Sequence, residues 1–209
     1  MDDLKKQEVL RAITEADMVL VGIGKELEAA DDHDSKQIAD VCRTYEKLAV
    51  LLKEKNYFII TTNYDDKIYD SSINKDRIVA PCGSVHRFQC AKGCTDALYM
   101  EKRGSCPVCG ALLCENTVKA ENYIESGYLP QWNKYIKWLS GTLHKKLCVL
   151  ELGVLMEFPS VIRWPFEKTV FLNETAFLFR INEQLPQLSV ELKEKGMSIA
   201  CHPILFFAE

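Results

Sequence analysis

Short apolar segments alternate with helical patterns along this chain, and this alternation constrains the fold more than any other feature. Most of the apolar segments end on glycine or a polar residue and are typical of buried strands, whereas the longer segments repeat their apolar residues at helical spacing. The strand patterns cover residues 17–22, 57–63, 147–153, 177–182 and 196–200, and the helical patterns cover 4–16, 35–55 and 129–143. Strands that alternate with helices predict an α/β fold with a mostly parallel sheet covered on both faces.

The composition excludes several classes of protein. Of the 209 residues, 47% are hydrophobic, which is enough for the core of one domain, or of one domain with a small insert. A net charge of −4 and a pI near 5.7 argue against a nucleic-acid partner. No apolar run reaches the roughly 18 residues of a membrane helix, and no signal-peptide core follows the charged first residues. We therefore expect a cytoplasmic protein without a membrane partner.

Four of the nine cysteines form two closely spaced pairs. This spacing is typical of zinc knuckles, in which each pair directs two thiolates at one ion and glycines such as Gly93 and Gly110 permit the sharp turns. Four thiolates leave no open position for a substrate, so the pattern predicts a structural Zn²⁺ site. The predicted ligands are Cys90, Cys94, Cys106 and Cys109. The alternative is two unrelated pairs of exposed thiols.

The other five cysteines have different expected uses. Cys114 is the only plausible substitute ligand, but it follows an apolar stretch and is expected to be buried. Cys82 is either a buried thiol or a nucleophile, and the absence of a recognisable neighbouring base favours burial. The core cysteines are predicted to be Cys42, Cys114, Cys148 and Cys201.

Small and polar residues at the strand ends indicate a binding crevice, because ligands of parallel α/β sheets bind beyond the carboxyl ends of the strands. The candidate residues are Gly22, Ile23, Gly24, Asn63, Asp65, Gly153 and Asn182. The first glycines either approach a phosphate or merely permit a tight turn or close helix packing. Neither a GxGxxG motif nor a Gly-Lys-Ser/Thr phosphate loop is present, which excludes the standard dehydrogenase and NTPase readings.

Three further features have competing interpretations. Asp65 is placed to hold a carboxamide or steady a developing cation, and it is equally suited to cap a helix that starts at Asp66. His86 is a candidate general base, although a structural role is favoured for a lone histidine among Val85, Arg87 and Phe88. The acidic run at 31–34 is expected to be a solvated loop and helix cap, and not a metal site.

The order and spacing of these motifs resemble the sirtuins, the NAD-dependent protein deacylases and ADP-ribosyltransferases. The matching segments are 22–24, 61–65, 82–86, the two cysteine pairs, 150–153 and 181–182. Segments 56–63 and 150–166 are most similar to the bacterial branch found beside macrodomain proteins. The resemblance implies a Rossmann-like NAD-binding domain over residues 1–86 and 115–209, with an inserted zinc-ribbon module over 87–114.

The resemblance also implies a role for each strand-end residue. Gly22 and Gly24, with Ile23 between them, would lie at the NAD pyrophosphate. Asn63 would lie near the nicotinamide ribose and Asp65 on the nicotinamide carboxamide, as the catalytic pair. Gly153 would lie at the adenosine, and Asn182 on its ribose.

The chain departs from the family pattern at several of these positions. The serine-rich loop and Pro-x-Phe-Arg segment that close over NAD are missing, and Glu26 and Glu28 bring negative charge to the pyrophosphate region. Cys82 stands where the family has its catalytic histidine, and Leu155 follows Val154 where the adenosine loop has small hydroxyl residues.

Two hypotheses follow from these departures. The first is a zinc-stabilised scaffold or pseudoenzyme that binds NAD or ADP-ribose weakly, or not at all, and presents a surface to a partner such as a macrodomain protein. The second is an active enzyme that cleaves the nicotinamide bond and modifies an acceptor protein.

Overall fold

A six-stranded parallel sheet forms the centre of the computed structural model, which describes residues 3–29, 35–101 and 104–208. The strands are β1 (Met18–Ile23), β2 (Asn56–Thr61), β3 (Ile78–Val79), β6 (Leu147–Leu152), β7 (Ala176–Ile181) and β8 (Gly196–Ile199). Their order is β3-β2-β1-β6-β7-β8, and every neighbouring pair is parallel. The predicted α/β class is therefore confirmed.

Helices cover both faces of the sheet. They are α1 (Asp3–Glu15), α2 (Ser35–Leu52), α3 (Leu129–Ser140), α4 (Arg163–Leu172) and α5 (Pro203–Ala208). Side chains of β1 alternate between two buried clusters: Val19 and Val21 pack with α1, α2 and α5, whereas Leu20 packs with α3 and α4. This period-two alternation with both faces buried explains why β1 is apolar throughout.

A small module projects from the main sheet. It is built on an antiparallel ribbon of β4 (Gly83–Cys90) and β5 (Leu113–Thr117). Its separate core consists of Phe88, Cys90, Cys106 and Leu113. The ribbon begins before residue 87 and ends after residue 114, so the predicted domain boundaries fall within its strands.

Most predicted helices and strands lie within a few residues of those observed. The structure also contains elements that the sequence did not predict, such as α4 and β3. Trp164, Phe171 and Leu172 of α4 are exposed, whereas Arg163 is buried, so its apolar residues do not mark one face. β3 has only two residues and pairs with β2 alone, which is too short for a period-two signal.

The scattered cysteines are only partly in the core. Cys148 is buried, as predicted, but Cys42, Cys114 and Cys201 are half-buried, so the prediction was wrong for these three. The acidic run at 31–34 lies outside the described residues. Within residues 3–29, 35–101 and 104–208, no helix is long and apolar enough to cross a membrane.

Candidate functional site

The predicted binding residues converge at the carboxyl edge of the main sheet. Ile23 at the end of β1 is in register with Thr61 of β2 and with Leu152 of β6. Backbone hydrogen bonds continue past the strand ends, from Gly24 N to Leu152 O (2.9 Å) and from Gly153 N to Ile181 O (2.9 Å). Gly24, Gly153 and the residues after β2 and β7 therefore share one crevice, as the parallel arrangement predicts.

The glycines of this edge accommodate close contacts within the chain. A Cβ atom on Gly22 would lie 2.4 Å from Ile162 Cγ2, so this glycine permits the close approach of the α4 region. A Cβ on Gly24 would lie 2.4 Å from the Cα of Val154. Gly153 has a φ of +61°, and its Cβ would lie 2.5 Å from Glu26 Cβ. The sequence left two explanations for the first glycines: approach to a phosphate, or a tight turn or close helix packing. Close packing accounts for Gly22.

Glu26 lies inside the crevice and is 7% exposed. It belongs to a short 3-10 turn, Lys25–Leu27, that follows β1. Its carboxylate accepts hydrogen bonds from the backbone amides of Glu183 (3.1 and 3.2 Å) and Gln184 (3.0 Å), which follow β7. A carboxylate of the chain thus occupies two amide donors at the predicted adenosine side.

Asn182 is completely buried and its side chain is fully engaged. Its Nδ2 donates to Val154 O (2.8 Å), and its Oδ1 accepts from the amides of Gln184 (3.0 Å) and Leu185 (2.6 Å). In this arrangement Asn182 holds the loop after β7 against the loop after β6.

Asp65 also bonds within the chain. Its Oδ2 accepts from Ala29 N (2.7 Å) and its Oδ1 from Lys67 N (3.1 Å). Burial raises the pKa of this carboxyl group, against the lowering effect of the two amides. Asp65 therefore joins the segment after β1 to the 3-10 turn Lys67–Asp70, a turn-stabilising role close to the predicted cap.

Asn63 is the exception among these polar residues. It is 5% exposed, and its Nδ2 has no hydrogen-bond partner among the described residues. A buried amide donor without a partner costs on the order of 1–3 kcal/mol. Asn63 Nδ2 is therefore the one side-chain donor among the predicted site residues that is buried without a geometric hydrogen bond in the described chain; Asn63 also interacts with the Tyr45 hydroxyl and lowers its pKa, against the larger effect of burial.

The inner crevice has almost no free volume. The space bounded by Lys25, Asn63 and Tyr64 amounts to about 10 Å³, which is about what a single water needs. Tyr64 donates to Glu157 (3.3 Å), and Lys25 pairs with Glu28 (3.1 Å) across the opening. A wider outer cleft of about 320 Å³ lies beside it. Asp65 and His86 contribute to the wall of this outer cleft.

Cys82 cannot act as a base in this environment. It is 1% exposed, and burial, with a smaller effect from Glu157 and Glu28, raises the pKa of its thiol to about 12. The thiol is therefore protonated at neutral pH, in agreement with the favoured buried reading. His86, by contrast, is exposed on the outer cleft, so the expectation that it packs structurally was wrong.

The four predicted ligand thiols meet in the small module. All four Sγ atoms lie within 4.8 Å of one another, and the closest pairs are Cys90–Cys109 (3.6 Å) and Cys94–Cys106 (3.5 Å). Zinc–sulfur bonds of about 2.3 Å would separate tetrahedral sulfurs by about 3.8 Å, so the geometry fits this ion.

The backbone of the two knuckles supports the thiolate form. Gly93 and Gly110 have φ values of +60° and +73°, as the predicted turns require, and their amides bond to the carbonyls of Cys90 and Cys106 (both 2.9 Å). Backbone donors, first that of Cys94, lower the pKa of Cys90 to about 6, whereas the neighbouring thiols, first that of Cys109, raise the pKa of Cys94. The four thiols can therefore hold a metal ion.

A buried charge network beside the crevice was not predicted. Arg180 donates two hydrogen bonds to Glu151 (2.7 and 2.9 Å) and one to Glu167 (2.7 Å). Arg163 donates to the carbonyls of Leu185 (2.9 Å) and Gln187 (3.1 Å), and so holds the loop after β7. Glu151 and Arg180 are each a single charged residue in an apolar strand, and this could have indicated a cross-strand pair.

Comparisons with known proteins identify this architecture. No family model matches the chain. A protein ADP-ribosyltransferase of Staphylococcus aureus is 23% identical over 268 aligned positions, which cover 95% of this chain and 85% of that protein. The structure of Sir2Tm bound to a propionylated peptide has a TM-score of 0.63 at 13% identity and covers 98% of this chain and 96% of its own.

A second solved structure, a Sir2 homologue mutant in complex with ADP-ribose, has a TM-score of 0.63 at 13% identity. The match covers 96% of this chain and 93% of that one. At this identity the structural similarity establishes the fold, and the expected resemblance to the sirtuins is confirmed at that level.

Proposed function

We propose that this chain, which has the sirtuin fold, is a zinc-containing scaffold or pseudoenzyme that binds NAD or ADP-ribose weakly and presents a surface to a partner protein. The observation that carries the proposal is the filled crevice. Lys25, Glu28 and Tyr64 line an inner space of about 10 Å³, whereas a nucleotide needs hundreds. The missing loop of the family and the buried Cys82 thiol agree with a loss of catalytic function.

NAD does not fit the residues as they stand. Of the donors that the family resemblance assigns to it, Asn182 is satisfied within the chain and the glycines are packed, whereas Asn63 Nδ2 has no partner among the described residues. Binding therefore requires the segment after β1 to move, and the energy of that movement weakens the affinity.

Titration calorimetry of the full chain with NAD and with ADP-ribose tests this proposal, together with chromatography of released nicotinamide. We expect weak heats with at least one ligand and no nicotinamide. Tight binding with turnover would exclude the scaffold, and the absence of heat with either ligand would exclude nucleotide binding.

The second candidate is an active NAD-dependent protein ADP-ribosyltransferase or deacylase. The Staphylococcus aureus relative carries the first of these activities in its name, and that similarity favours this candidate. Asn63 and Asp65 would be its catalytic residues, and a protein side chain or water would be the acceptor.

If the chain is active, Asp65→Ala is expected to abolish nicotinamide release. Because the Asp65 carboxylate also accepts hydrogen bonds from the amides of Ala29 and Lys67, Asp65→Asn is expected to disturb the fold less than Asp65→Ala and is measured beside it. Nicotinamide should be measured for both variants alongside their melting temperatures. Equal release by the wild type and both folded variants would contradict a catalytic role for the carboxylate.

The same proposal includes the identity of the metal ion in the cysteine cluster and the cellular compartment of the protein. Four thiolates at tetrahedral spacing favour a structural Zn²⁺ with no substrate position. Reduced cysteines fit the cytoplasm. The partner would be an acceptor protein or a macrodomain protein, in keeping with the resemblance to the bacterial macrodomain-linked branch.

A further inference from the structure

Glu26 is held in the crevice by hydrogen bonds from backbone amides. Its oxygens accept from Glu183 N and Gln184 N, and its own amide donates to Gly153 O (3.2 Å). The same segment is fixed further on, where Tyr45 donates to Leu27 O (3.1 Å).

The charge of Glu26 has no cationic partner in the described part of the chain. The neighbouring Lys25 pairs with Glu28 (3.1 Å) and Glu157 (3.5 Å) instead. Burying an unpaired carboxylate is costly unless hydrogen bonds compensate, and here only the two amides do so. The contact is therefore specific but replaceable, because another acceptor could satisfy the same donors.

The two amides form a pre-arranged donor pair. They directly follow Asn182 at the end of β7, and Asn182 Oδ1 also accepts from Gln184 N (3.0 Å), which fixes the turn. Glu183 N, in contrast, bonds only to Glu26 among the described residues. A pair of aligned amides binds hydroxyl or anionic oxygens well.

We propose that Glu26 is an internal competitor that sets ligand affinity and specificity at this donor pair. The ligand would be a ribose-containing nucleotide such as ADP-ribose, whose hydroxyl oxygens replace the carboxylate when the segment 24–29 moves. This inference rests on the proposed nucleotide binding, and it attributes the weak affinity for the nucleotide to one side chain.

Calorimetry of ADP-ribose with wild type, Glu26→Ala and Glu26→Gln tests the competition. Glu26→Ala frees the amide of Glu183 and leaves that of Gln184 bonded to Asn182 Oδ1, and it should bind at least tenfold more tightly than the wild type. Glu26→Gln removes the charge but keeps one acceptor oxygen, so it should show a smaller gain. Glu174→Ala, which removes an exposed carboxylate outside the crevice, is the matched control and should bind like the wild type.

Amide hydrogen exchange gives a second measurement that does not depend on a ligand. Glu183 N should exchange faster in Glu26→Ala than in the wild type, whereas Glu174→Ala should leave its rate unchanged. An unchanged rate at Glu183 in a folded Glu26→Ala variant would overturn the inference. If Glu26→Ala does not fold, the same comparison is made with Glu26→Gln.

The outcomes separate this inference from the proposed function. Tighter ADP-ribose binding with faster exchange supports both. Weak binding that is equal in the wild type and the Glu26 variants overturns the competition and leaves the proposed function standing. No binding by any variant, despite faster exchange at Glu183, overturns nucleotide binding and the competition with it.

Discussion

Glycine lies at three positions of the crevice edge, and each has a different steric reason. Gly22 leaves room for Ile162, Gly24 for the backbone of Val154, and Gly153 for Glu26. Only Gly153 also requires a positive φ, which other residues adopt at a cost. At the scale of single residues, then, the glycine pattern follows from contacts within the chain.

Gly22→Ala should destabilise the protein by roughly 1–3 kcal/mol, because the new methyl group would overlap Ile162 Cγ2 in a packed core. Urea unfolding monitored by circular dichroism gives the free energy of unfolding. Gly104→Ala is the control, since nothing lies within 4 Å of the position that its methyl group would take, and its effect should be small. Equal effects of the two substitutions would contradict the packing explanation.

The sequence predicted the structural roles of some residues and missed those of others. The turns at Gly93 and Gly110 followed from the cysteine spacing, because a knuckle has few backbone solutions. The orientation of Glu26 did not follow, since a charged residue after a strand is ordinarily solvated. Only the contact between the loops after β1 and β7, which are distant in sequence, brings its carboxylate to the amides.

Among the elements, the strands β6 and β7 carry the buried ion pair that supports the crevice wall. Glu151 and Arg180 are opposite each other in the parallel register and are both fully buried. Desolvation raises the pKa of Glu151, although Arg180 opposes this effect. The guanidinium compensates by bonding both carboxylate oxygens and Glu167.

Arg180→Met should cost about 3–5 kcal/mol of stability, because it removes both hydrogen bonds to the buried Glu151 carboxylate and leaves it with the longer contact to Arg163 (3.8 Å). Thermal and urea unfolding measure the loss. Lys146→Ala, which removes the exposed pair with Glu15, is the matched control and should cost far less stability than Arg180→Met. A small effect of Arg180→Met would mean that the carboxylate is neutralised or solvated in another way.

Element prediction succeeded where the hydrophobic pattern was regular. β1 and α2 were recognised because their buried residues recur at the period of a strand or a helix. The ribbon strands and β3 were not recognised, since the burial of β4 does not alternate and β3 has only two residues. The predicted residues meet at the carboxyl edge of the sheet, but the contacts that fill the space between them are long-range, and periodicity does not encode them.

At the scale of the whole molecule, the cysteine cluster supplies two of the four buried core residues of the ribbon module, Cys90 and Cys106. Only a few apolar side chains pack there, so the ion should contribute much of the module's folding energy. The ribbon is joined to the main domain by backbone bonds such as Val118 N to Cys82 O (3.0 Å). Loss of the metal should therefore also destabilise the larger domain.

Cys106→Ser should lose bound zinc and lower the melting temperature, because one of four thiolates is removed. Zinc content is measured by plasma mass spectrometry and stability by calorimetry. Cys114→Ser, in the same module but outside the cluster, should retain about one zinc per chain. A chelator that leaves the melting temperature of the wild type unchanged would contradict the structural role.

The steric use of the glycines has a consequence for mutational selection. A library selected only for abundance would still retain glycine at positions 22, 24 and 153, because larger residues disturb packing whether or not a nucleotide binds. Asn63 differs, since its unpartnered amide contributes no hydrogen bond to folding within the described residues. The substitutions tolerated at position 63 should therefore be compared between selection for abundance and selection for ligand capture. That comparison would report on binding more directly than the glycine motif does.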